Sequence, residues 1–99
     1  MNGTIALRGR HYKTVRSIFQ VQGSVGWREL VEAFQSMSFK VKATKGSVHK
    51  FSPPSTIPGR AFTWHKPHSS QLRPDHLRIL RGDLSQLYHW RVETFVRKK

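Results

Sequence analysis

The chain has 99 residues, 18 of them Lys or Arg against five Asp or Glu, giving a net charge of +13, and it has no cysteine. A chain of this length holds one modest core, and without cysteine it has neither a disulfide frame nor thiolate chemistry. Its charge favours a polyanion, nucleic acid first, over a membrane, since no apolar run approaches the roughly 20 residues of a spanning helix.

A hydrophobic content of 36%, with three Trp and six Phe, supports a packed core rather than disorder. The carboxylates are Glu29, Glu32, Asp75, Asp83 and Glu93. They are too few and too scattered for a two-metal nuclease or a paired-carboxylate glycosidase, so any catalysis would rest on histidine, lysine and arginine.

Residues 1–9 show no periodicity and read as an arm. Tyr12, Val15, Ile18 and Phe19 then fall at helical spacing, which predicts a short basic helix over residues 10–19. An arginine-bearing segment with no acid before Glu29 has the composition of a mitochondrial targeting peptide. The simpler reading, adopted here, is a helix docked on the domain with Arg10, Lys13 and Arg16 in solvent, in a protein of the cytoplasm. Residues 1–23 thus form an arm and short helix, and residues 24–99 a folded domain with a carboxy-terminal extension.

Trp27, Leu30, Val31, Phe34 and Met37 mark one face of a helix over residues 26–38. Residues 39–44 alternate apolar and polar side chains, as a strand with one buried face does, and place their lysines on the open side. Lys45-Gly46 is a turn into a second strand, 47–52, on which His49 and Phe51 share a face and Val48 takes the other. A loop rich in proline and glycine leads to a third strand over 60–65, which Pro67 prevents from continuing. This antiparallel meander is expected to bring His49, His65 and His68 toward one face or edge. Leu77, Leu80, Leu84, Leu87 and Tyr88 predict a second amphipathic helix over 74–88, with Pro74 in its first turn. Trp90, Val92 and Phe95 can fold back on the core. Trp27, Leu30, Val31, Phe34, Leu77, Leu80, Leu84 and Leu87 should be buried.

The expected fold is therefore α+β: a three-stranded antiparallel sheet with two helices packed on one face, plus an amino-terminal helix. This order is that of a small sandwich like the double-stranded-RNA-binding domain (dsRBD-like).

From Trp27 to about Leu87 the chain resembles the HicA (YcfA-like) family of messenger-RNA interferase toxins. The resemblance is carried by Trp27-Arg28-Glu29-Leu30, Phe39, Gly46-Ser47-Val48-His49-Lys50-Phe51, His65-Lys66-Pro67-His68 and Leu72-Arg73-Pro74-Asp75-His76-Leu77. The segment from Tyr88 to Lys99 extends past the compact bacterial toxin and is similar to fungal HicA-like proteins. The resemblance implies a dsRBD-like fold, metal-independent endoribonuclease activity on mRNA, His49 as the catalytic residue and an acidic HicB-like antitoxin as partner.

RNA carries its own nucleophile, the 2′-hydroxyl, so cleavage needs only a base, an acid for the leaving 5′-oxygen and cations around the phosphorus, with no cofactor. Imidazole can serve as base or acid near neutral pH. His49 is the expected base or acid, and His65 or His68 the second proton carrier. Lys45, Gly46, Ser47, Lys50, Arg60 and Lys66 are the expected RNA-binding residues. Against this, His49 can be a half-buried strand histidine that bonds a carbonyl, His65 and His68 a structural strand end, and Trp64 a core residue rather than a base-stacking one. Zinc on His49, His65 and His68 is set aside, because ligands on an extended run favour i, i+2 spacing, whereas His65 and His68 are i, i+3. The alternative to the nuclease is a non-catalytic RNA-binding module of the same fold.

Overall fold

The computed structural model describes residues 3–98. Met1, Asn2 and Lys99, the outermost residues of the expected arm and tail, lie outside this range. In chain order the elements are β1 (Ile5–Leu7), α1 (Gly9–Gln20), β2 (Val25–Gly26), α2 (Trp27–Ser36), β3 (Lys40–Lys45), β4 (Val48–Ser52), β5 (Phe62–His65), β6 (Gln71–Leu72), α3 (Pro74–Tyr88), a 3-10 turn (Val92–Thr94) and β7 (Phe95–Arg97). The fold is α+β, with helix α2, the antiparallel sheet β3-β4-β5 and helix α3 in the expected order. Among the described residues no helix is long and apolar enough to cross a membrane.

Aromatic packing organises the core. On the helix side of the sheet, Phe51 of β4 and Phe62 of β5 are cross-strand partners whose rings stack with centroids 4.8 Å apart and planes 8° from parallel. Phe34 of α2 meets this pair edge-on, at 5.3 Å from Phe51 and 5.7 Å from Phe62. Trp27, at the first turn of α2, covers Phe51 from the other end at 5.9 Å. Edge-to-face pairs of this kind contribute about 0.5–1.5 kcal/mol each beyond the area they bury.

Helix α1 joins the same core through Val15, Ile18 and Phe19, and Arg81 of α3 donates to the Phe19 carbonyl at its last turn. Leu77, Leu80 and Leu84 line the buried side of α3 as expected. Val31 and Leu87 do not meet expectation: both are half-buried. Val31 directly follows the fully buried Leu30 and Leu87 directly precedes the buried Tyr88, so each falls at the edge of its helix stripe.

Two pairings were not expected from the sequence. Residues 5–7 form a strand rather than an arm: β1 runs parallel to β7, with Leu7, Trp90 and Phe95 buried behind the pair. Residues 25–26 pair antiparallel with 71–72, and the Trp27 amide donates to Ser70, which ties the start of α2 to the approach to α3. Strands of two or three residues are too short to show period 2, and their partners are remote in sequence.

Tyr88 closes the far end of the sheet. It packs against Phe39 and Phe62, and its hydroxyl donates to the Arg60 carbonyl. Gly59 permits this approach, since a Cβ there would lie 2.5 Å from the tyrosine ring. Burial pushes the Tyr88 phenol up from 10.0 to about 12. The folded state thus holds the neutral phenol, and this contribution to stability is complete below pH 10 and is lost as pH rises through about 12. Urea unfolding of wild type and Tyr88→Phe should therefore differ by about 1 kcal/mol at neutral pH, the worth of the lost hydrogen bond. The difference should shrink between pH 10 and 12. A difference that stayed constant across this window would show that the phenol is not held neutral by the fold.

Candidate nucleic-acid interface

The register Phe51↔Phe62 fixes every other pair of β4 and β5: Lys50↔Thr63, His49↔Trp64 and Val48↔His65. Since side chains alternate faces along a strand, His49 and Trp64 share the helix side with Phe51, whereas His65 goes to the open side with Val48, Lys50 and Thr63. Of the expected gathering of His49, His65 and His68 toward one face or edge, this register excludes the common face, since His49 and His65 lie on opposite sides of the sheet. His49 opposes Trp64, one residue short of His65.

The open face is basic. Lys40 and Lys42 of β3 are exposed there, and Lys42 stands directly opposite Lys50. An irregularity between Ala43 and Lys45 inserts Thr44, whose hydroxyl donates to the Val48 carbonyl, and sets Lys45 opposite Val48. The extra residue therefore returns Lys45 to the face of Lys42 and Lys50. Like charges directly opposite each other cost stability in a sheet. Among the described residues the one ion pair, Arg28 with Glu32, lies on α2 and neutralises none of these lysines.

The two histidines meet at Ser47, in the β3–β4 turn. The Ser47 carbonyl accepts from His49 Nδ1 at 3.0 Å and from the Lys66 amide at 2.8 Å, while its hydroxyl lies 3.3 Å from His65 Nδ1. A carbonyl can only accept, so His49 carries its proton on Nδ1 and the neutral ring presents a bare Nε2. Among the described residues Nε2 makes no hydrogen bond. Trp27 steadies the ring from the side, with centroids 5.0 Å apart and planes at 64°. A purely structural histidine would make the same Nδ1 contact; the free Nε2 is what a general base requires.

His49 is also reachable. Along the helix side of the sheet Phe51 is fully buried, His49 half-buried and Ala43 exposed, so the sheet projects past α2 toward the 46–47 turn. Gly46 supplies the positive φ of that turn, at 59°, and has open space around its Cα.

Other expected site residues lie farther off. Arg60 precedes β5 at the Tyr88 end of the sheet, four residues before Trp64 and so up to about 13 Å from the His49 pair along the chain. His68 is exposed in the 67–70 turn that follows the strand, closed by a bond from the Ser70 amide to the Pro67 carbonyl. His76, which is not among the expected site residues, takes a place beside His65 instead. Both line a groove of about 370 Å³ with Thr63, Trp64, Pro67 and Asp83, where α3 flanks edge strand β5. The Arg73 amide donates to His76 Nδ1 at 3.1 Å, leaving the proton of the neutral ring on Nε2. An acceptor three residues after the helix cap was the available signal, since such a side chain can reach back to the cap amide.

Comparison with known proteins yields no matching family model, curated protein or solved structure.

Nitrogen-resolved NMR of the imidazoles should find His49 in the Nδ1–H form with Nε2 unprotonated when neutral, and Ser47→Ala, which keeps the carbonyl, should leave that tautomer unchanged while altering His65. A neutral His49 protonated on Nε2 would contradict the arrangement.

Proposed function

We propose that this protein binds RNA and cleaves it without metal, as an endoribonuclease of the kind the HicA resemblance implies. The observation that carries the cleavage reading is the free Nε2 of His49, held at the sheet's projecting end by the Ser47 carbonyl and Trp27. From that position Nε2 takes the proton of a 2′-hydroxyl. The oxygen then attacks the adjacent phosphorus, the bond to the 5′-oxygen breaks, and a proton from His65, on the other side of Ser47, neutralises the leaving alkoxide. Lys45 and Lys66 flank this turn and oppose the charge that builds on the phosphorus, while Lys50 holds the chain on the open face. An acidic inhibitor, the HicB-like partner of the resemblance, would complement the same surface and associate fastest at low salt.

A second reading has its own observation. The lysines at 40, 42, 45 and 50 share a face with His65 rather than His49, which suits a module that binds RNA on the open face without cutting it.

Incubation with RNA in excess EDTA separates the two. Wild type should release products with 2′,3′-cyclic phosphate and 5′-hydroxyl ends, and RNA carrying 2′-O-methyl groups should stay whole. His49→Ala should slow cleavage by about 10²–10⁴-fold, the usual worth of a general acid–base, with RNA affinity unchanged. Tight binding by wild type without cleavage would remove the enzyme reading and leave the binding module.

A further inference from the structure

A second cluster of cations lies on elements that the histidine site does not use. Arg10, Lys13 and Arg16 of α1 and Arg97 of β7 line a cleft of about 410 Å³ together with Gly9 and Tyr12. Among the described residues no carboxylate lines it. The single ion pair among the described residues is elsewhere, on α2, so none of these four cations is ion-paired there, and Glu29 lines only the adjoining groove with Arg10 and Lys13. Arg10, Lys13 and Arg16 are spaced at i, i+3 and i+6 along the exposed side of α1, where like charges repel.

The cleft joins two remote parts of the chain. Strand β7 is held parallel to β1 with Arg97 opposite Leu7, and the Lys98 amide donates to the Leu7 carbonyl at 2.7 Å. This pairing brings the Arg97 guanidinium across the first residue of α1. A Cβ at position 9 would sit 3.1 Å from Arg97 Nη2, so glycine there leaves the guanidinium room to lie against the helix. A planar fork from one side and a row of flexible cations from the other suit phosphate oxygens.

We propose that this cleft is a second binding site for the phosphodiester backbone, which holds an RNA chain extending beyond the His49 end of the sheet. The proposal rests on the RNA-binding part of the function above and assigns it a further surface. A membrane surface is the competing anion, and the lining disfavours it. Interfacial helices set Trp, Phe or Leu beside their cations, whereas Val15, Ile18 and Phe19 of α1 are turned into the core. Contacts to backbone phosphates position the chain without reading sequence, so the cleft lengthens the bound RNA and adds no base preference.

The test uses 2′-O-methyl RNA, so that binding is measured whether or not the protein cleaves. At roughly 3.4 Å per stacked nucleotide, the 37 Å longest dimension of the molecule takes about 11 nucleotides, so oligonucleotides of about 5 and about 20 are compared. Fluorescence anisotropy over a range of salt should show the Arg10→Gln, Lys13→Gln, Arg16→Gln triple variant losing about two units of salt slope on the long RNA, at ~0.7 per phosphate contact in single strands. The short RNA should bind it as it binds wild type. Lys45→Gln with Lys50→Gln should instead weaken both RNAs. Lys13→Glu alone, at an exposed position, should weaken the long RNA in a protein whose circular dichroism matches wild type. An unchanged slope for the folded triple variant on the long RNA would overturn the cleft as an RNA site while leaving the histidine site standing. Loss of binding to phosphatidylserine vesicles with RNA binding intact would overturn it in favour of a membrane. Failure of wild type to cut unmodified RNA, with these slopes as expected, would remove only the cleavage reading.

Discussion

The stacked pair Phe51 and Phe62, clamped edge-on by Phe34, is the contact on which the placement of the functional groups depends. A strand presents alternate residues to opposite faces, and a slip of one residue would move every side chain to the other side of the sheet. With Phe51 opposite Phe62 and both in the core, Trp64 falls opposite His49 and His65 falls opposite Val48. Loss of Phe34 would open a cavity beside both of these rings and beside Phe39 and Trp90, and such losses cost about 3–5 kcal/mol, a large share of the 5–15 kcal/mol that holds a domain together.

The same register concentrates charge. Lys40, Lys42, Lys45 and Lys50 share one solvent face because the strand period puts them there and the inserted Thr44 restores the phase for Lys45. Their mutual repulsion opposes folding weakly in salt, where exposed charges are screened within about 8–10 Å, and attracts a polyanion strongly. The helix side of the sheet carries the opposite chemistry, an aromatic wall that ends at Trp27 and His49. Where the sheet outruns α2, near Ser47, the two sides become accessible together. Ser47 is the hinge between them, with its carbonyl on His49 and its hydroxyl on His65.

Much of this was legible in the sequence. The stripe of Leu77, Leu80 and Leu84 behind Pro74 placed α3 correctly, and the alternation of residues 39–44 gave β3 with its lysines outward. The shared face of His49 and Phe51 also followed from period 2. What could not be read was the relation between strands. No local pattern says whether His65 or Trp64 stands opposite His49, since that is decided by the packing of Phe62 through a nine-residue loop. For the same reason β1 and β7 escaped notice: three residues at each end of the chain find each other only because Leu7 and Phe95 are buried together. His76 was hidden because its neighbour across the groove comes from a different element.

Whether one RNA chain engages both sides of the sheet's end is the question that links the basic face to His49. Titration of isotope-labelled protein with a 2′-O-methyl RNA, followed through the amides of Lys42 and Lys50 and the imidazole resonances of His49 and His65, tests it directly. All four should shift together along one binding curve. Movement of Lys42, Lys50 and His65 with His49 unperturbed at saturation would contradict a role for His49 in cleavage.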